Sequence, residues 1–180
     1  MNKNIFFVFV LAIIGAFVIS NVSFAQPYGK GLYGIVTYGN ETSLTISTDG
    51  NINIPTITPT NNGTLGTGNS TVTVVSTDVM GYILYVRALT STNMDNLGTP
   101  LPSATFSYPG ATKNVWGYNT DMTDSYTAMS LTDAQIYSTT QPTSITGHNT
   151  VVKYGLYVDF AKPAGNYAVD VIYTAVPQTD

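Results

Sequence analysis

The chain has no cysteine. Disulfide stapling, thiol nucleophiles and cysteine-based metal sites are therefore excluded, whatever the redox state of its compartment. Charge is also scarce: Asp, Glu, Lys and Arg make up 9% of the residues, against roughly 25% in an ordinary soluble domain. The net charge is −4, with ten acidic and six basic residues. A nucleic-acid binder needs a basic face, so no nucleic-acid partner is expected. Solvation falls to Thr, Ser, Asn, Gly and Tyr, a surface that barely titrates. Histidine and glutamate each occur once, as His148 and Glu41. Paired-carboxylate chemistry would have to use aspartates. Neither a Gly-x-Ser-x-Gly nucleophile turn nor a glycine-rich phosphate loop occurs. The catalytic inventory is thin enough that no enzyme and no cofactor is expected.

What is present begins with an export signal. Met1 to Asn4 is a short positive segment, Ile5 to Ser20 is apolar, and Ser23-Phe24-Ala25 offers small residues at the cleavage positions. This pattern reads as a signal peptide over residues 1–25, cut between Ala25 and Gln26. No second apolar run follows, so no membrane association is expected after cleavage. Loss of Lys3 leaves five basic residues against ten acidic, a charge of −5.

The mature chain is dominated by period-two alternation of β-branched and aromatic residues, the pattern of half-buried strands. It is strongest in Val151–Val176. There Val152, Tyr154, Leu156, Val158 and Phe160 alternate with Lys153, Gly155, Tyr157 and Asp159. After Ala161 to Asn166, Tyr167, Val169, Val171, Tyr173 and Ala175 continue the same alternation. The intervening Pro163, Gly165 and Asn166 are turn formers, so this stretch reads as an antiparallel hairpin.

A second hairpin is read from Thr71–Ser76 and Tyr82–Ala88. A third is read from Ser43–Ser47 and Asn51–Ile54 about Asp49-Gly50. Asn61 to Asn69 reads as a glycine- and asparagine-rich loop, and Leu89 to Thr112 as loop-like. A helical turn near Leu131–Ile136 is an open alternative to extended chain. Seven to nine short strands make the fold class all-β, a single antiparallel β-sandwich or jelly roll over residues 41–180. The expected core is Val72, Val74, Leu84, Val86, Trp116, Leu156, Val158, Val169 and Val171.

Residues 26–40 form an arm before that domain. Its strand-like run, Leu32 to Tyr38, is apolar on both faces, with Leu32, Val36 and Tyr38 on one and Tyr33 and Ile35 on the other. That suits a strand buried on both sides. Three Asn-x-Thr sequons, at Asn40, Asn62 and Asn69, are candidate N-glycan acceptors. His148 reads as a solvated loop histidine. Asn119, Asp121 and Asp124 make an oxygen-rich loop that lacks the bidentate Glu of a calcium site, so no metal is expected. The lone Trp116 reads as core.

Several short pieces together resemble a known family. They are Thr71-Val72-Thr73-Val74 with Gly81-Tyr82, Trp116-Gly117-Tyr118, Tyr154-Gly155-Leu156-Tyr157-Val158, and Ala164-Gly165-Asn166-Tyr167 running into Tyr173-Thr174-Ala175. Over roughly Ser43 to Val176 the chain resembles the secreted β-sandwich subunits of archaeal pili and threads and of TasA-type biofilm fibres. The resemblance implies a subunit that lacks a strand and receives one from its neighbour. Leu32, Tyr33, Ile35, Val36 and Tyr38 would then belong to the donor strand, identical subunits would be the partners, and the product would be an extracellular filament serving adhesion or cell contact. The competing expectation is a monomeric surface module that recognises a glycan or another cell. The two differ in whether Leu32–Tyr38 pairs with its own sheet or with another chain.

Overall fold

The computed structural model describes residues 43–77 and 79–178. The leader with its cleavage site and the arm, Leu32–Tyr38 and the Asn40 sequon included, lie outside the described residues. The described part is all-β, eleven strands in antiparallel sheets, so the expected fold class holds. The strand count exceeds the expected seven to nine because three two- or three-residue strands lie in segments that look like loop: β4 (Met94–Asn96), β5 (Thr99–Leu101) and β6 (Phe106–Ser107).

Two sheets face each other across one core. The first holds β1 (Ser43–Thr48), β2 (Thr64–Thr77), β10 (His148–Val158) and β7 (Val115–Asn119), in the order β1-β2-β10-β7. The second holds β3 (Gly81–Ala88), β9 (Ala134–Thr139) and β11 (Val171–Gln178), in the order β11-β3-β9. A further strand, β8 (Ser125–Tyr126), pairs with β6. No helix forms near Leu131–Ile136; Ala134 to Thr139 is extended against β3.

The alternation assigns the core faces correctly. Val72, Val74, Leu84, Val86 and Trp116 are fully buried, Val158 nearly so, and Leu156, Val169 and Val171 pack half-buried against them. Phe160 departs from the pattern: it lies beyond the end of β10 and is 65% exposed. Burying such side chains contributes roughly 1.5–3 kcal/mol each. The Trp116 indole N–H donates to the Thr92 carbonyl at 2.9 Å, so the large ring is buried without an orphan donor.

All three expected hairpins are corrected. β10 and β11 belong to different sheets, and so do β2 and β3. Each connection crosses the sandwich. An alternating strand carries an apolar face whichever sheet it joins, and turn residues suit a crossing as well as a hairpin. Asp49-Gly50 does not fold β1 onto Asn51–Ile54 either. β1 pairs with the far half of β2, Ser43 opposite Thr77 and Thr48 opposite Val72. The segment after Gly50, whose φ is +95°, carries Ile52, Ile54 and Ile57 inward without forming a strand.

The expected loop at Asn61–Asn69 is mostly strand. β2 runs unbroken from Thr64, and β10 pairs with it from Val74 down to Thr64. Gly66 and Gly68 share the core-facing parity of Val72 and Val74. A Cβ on either would collide with Ile57 and Ile54 at Gly66, or with Ile52 and Ile54 at Gly68. The glycines leave room for the isoleucines.

A second, smaller cluster covers the outer face of the first sheet. Phe106, Val115, Tyr126 and Tyr157 are buried there. Gly155 of β10 stands opposite Gly117 of β7, and together they form a flat floor on which Tyr126 lies. The Phe106 ring stacks on Tyr126 with centroids 4.7 Å apart.

Candidate functional site

Chemistry-bearing side chains are dispersed rather than gathered. Among the described residues no three His, Asp or Glu side chains come close enough to hold a metal ion. The oxygen-rich loop satisfies itself. Asn119 donates to the Thr123 and Ser125 carbonyls and accepts from Met122 N. Asp121 accepts from Thr123, which holds its carboxyl below the usual range. Asp124 pairs with Lys153 at 2.8 Å.

His148 is not a solvated loop residue. It opens β10, stacks on Tyr137 at 4.2 Å and sits 3.2 Å from the Tyr82 hydroxyl. That contact ties β10 of the first sheet to β3 and β9 of the second. Burial pushes the Tyr82 phenol up to about 12. An open depression of about 300 Å³ lies beside Thr90, Ser91, Asn93, Asp95, Pro100 and Asp170, where the Ser91 hydroxyl is bonded to the Asn93 main chain.

The sequons are placed differently from each other. Asn62 lies exposed in the turn before β2, where its carbonyl accepts from the Tyr157 hydroxyl at 2.8 Å. Asn69 is exposed but sits inside β2, opposite Lys153.

The feature that stands out is the edge of β2. This strand has fourteen residues. β10 covers Thr64 to Val74 on one side, whereas β1 covers only Val72 to Thr77 on the other. In an antiparallel strand successive residues point their main-chain groups to alternate sides. Thr71 points toward the β1 side: its carbonyl accepts from Asp49 N at 3.3 Å and its N–H donates to the Asp49 carboxylate at 2.9 Å. By the same parity Leu65, Thr67 and Asn69 present their N–H and C=O groups on that side. Among the described residues no main-chain partner meets them.

The other flank of this sheet is closed. β7 is bonded along its outside by Pro102, Ala104 and Thr127. In the second sheet, edge strand β11 carries Pro177, which has no N–H to offer.

Asp49 marks where the covered part of β2 ends. Its two oxygens take Thr71 N and the Ser70 hydroxyl, at 2.9 and 3.0 Å. The Thr71 main-chain bond leads in holding this carboxyl below its ordinary value, despite an opposing desolvation effect. Ser70 is buried beside Tyr173, whose hydroxyl lies 2.6 Å from that of Tyr154. Burial pushes both phenols up.

Neither the edge nor the role of Asp49 follows from the sequence motifs. The available signal was the continuous parity of Gly66, Gly68, Ser70, Val72 and Val74, which glycine's low strand propensity obscures. Comparison with protein-family models, with curated proteins and with solved structures finds no match to this chain.

Proposed function

We propose that the protein is a structural subunit of an extracellular filament, in which the segment Leu32–Tyr38 of one copy adds as a strand to the β2 edge of the next. The observation that carries this reading is the row of main-chain groups at Leu65, Thr67 and Asn69 that meets no partner among the described residues. An unpaired row of this kind is a template for another strand, and main-chain hydrogen bonds with flanking side-chain contacts make strand addition tight and directional. The uncovered stretch Thr64–Ser70 is seven residues long, as is Leu32–Tyr38.

Chain length supports addition between copies. Ser43 stands opposite Thr77, and along β2 the uncovered stretch starts seven residues away, about 23 Å at 3.3 Å per residue. Tyr38 is five residues before Ser43 and so reaches at most about 18 Å. If the segment ran the other way, Tyr38 would have to reach Thr64, roughly 43 Å from Ser43. A neighbour's segment has no such limit. A head-to-tail contact that does not close on itself builds a fibre.

The test is deletion of Gln26–Asn40 from the secreted chain, followed by electron microscopy and titration with a synthetic Gln26–Asn40 peptide. Loss of fibres, with a folded remainder that binds the peptide, is the expected result. A truncated domain that ignores the peptide, or a full-length chain that stays monomeric at high concentration, would overturn the reading and favour the monomeric surface module.

A further inference from the structure

Thr71 is bonded in an unusual way. Asp49 follows the last paired residue of β1, and its N–H still donates to the Thr71 carbonyl. A continuing ladder would return the Thr71 N–H to the Asp49 carbonyl. Here the backbone has turned away at Gly50, φ +95°, and the Asp49 carboxylate takes that N–H instead, at 2.9 Å. The other carboxylate oxygen is anchored by the Ser70 hydroxyl, and Ser70 is itself fixed in the core with 1% exposure. A side chain thus stands in for a strand at one rung of β2, with the β1 ladder on one side and the uncovered rungs Asn69, Thr67 and Leu65 on the other.

We infer that Asp49 is a positioning residue that sets the register of strand addition: it occupies the Thr71 rung and confines an incoming strand to Thr64–Ser70. This rests on the strand-addition reading. A strand's side chains alternate between faces, so slippage that keeps the same faces moves in steps of two residues. Thr71 is two residues beyond Asn69, the next rung such a slip would engage. A charge-assisted bond to an ionised carboxylate resists displacement better than a neutral contact, and the Thr71 main-chain bond leads in lowering the Asp49 carboxyl pKa.

The test is residue-resolved hydrogen exchange on the secreted full-length chain, before and after assembly, for the wild type, Asp49→Ala and Asp49→Asn. In the wild type, assembly should add protection at Leu65, Thr67 and Asn69 and nothing new at Thr71, which is already bonded. In Asp49→Ala the Thr71 amide should exchange several-fold faster before assembly. After assembly it should gain protection, with the protected part of Leu32–Tyr38 shifted by two residues or split between two registers. Asp49→Asn keeps one acceptor oxygen but loses the charge and the second acceptor, so its pattern should fall between the wild type and Asp49→Ala. An Asp49→Ala polymer with unchanged protection would overturn the register role and leave strand addition standing. A wild-type polymer with no added protection at Leu65, Thr67 and Asn69 would overturn both.

Discussion

At the scale of single residues, glycine carries more of this fold than its turn-forming reputation suggests. Gly155 lies mid-strand in β10, where a Cβ would run into the Tyr126 ring. That ring is 1% exposed and held from its other side by Phe106, so it has little room to yield. Gly155→Ala should therefore destabilise the domain by about 1–3 kcal/mol, as overpacking does. Leu84→Ala, which empties a fully buried site, should lose about 2–5 kcal/mol. Denaturant melts of the two variants check both figures, and a neutral Gly155→Ala would mean that the outer aromatic cluster is dispensable.

Acid stability is set at the same scale. Asp159 accepts from Asn114 Nδ2 at 2.8 Å and Ala161 N at 2.9 Å, and these bonds, the Asn114 one first, hold its carboxyl low. A carboxyl depressed in the fold stabilises it above the ordinary carboxylate range, near pH 4. That contribution is lost as pH falls through the lower folded value. Asp159→Asn should flatten the fall in melting temperature below about pH 4, measured by circular dichroism at fixed salt.

Among the elements, period-two alternation made the faces legible and left the partners hidden. Tyr82, Leu84 and Val86 on β3, and Val152, Tyr154 and Val158 on β10, face the core as their spacing predicts. Yet β2–β3 and β10–β11 are neighbours in sequence and not in any sheet. Alternation shows which side of a strand is apolar; the choice of partner is made by long-range packing that a local pattern does not contain. Two further misreadings have definite causes. Gly66, Gly68 and Asn69 resemble a loop by propensity, but the isoleucines that occupy the space above the glycines come from Ile52, Ile54 and Ile57. His148 resembles a loop residue because its contacts, Tyr82 and Tyr137, are remote in sequence. Of the candidate site, the edge and Asp49 were not legible, because both depend on β1 stopping short along β2.

For the whole molecule, the proposed assembly would draw on a different half of one strand's hydrogen-bonding capacity from folding, and this would make the two separable. The even-numbered residues of β2 from Thr64 to Val74 bond to β10 within the domain. The odd-numbered ones from Leu65 to Asn69 point to the opposite side. Proline lacks the N–H and is tolerated in sheets where that N–H faces outward. Thr67→Pro removes the middle donor of the uncovered row and no bond to β10. The isolated domain should keep its sheet signature, since no ladder bond to β10 is lost, whereas fibre yield in electron micrographs should collapse. Gly68→Pro removes a bond to β10 and also drives a ring toward Ile52 and Ile54, so it should destabilise the domain itself. A Thr67→Pro chain that forms fibres like the wild type would show that filament growth does not run through this edge.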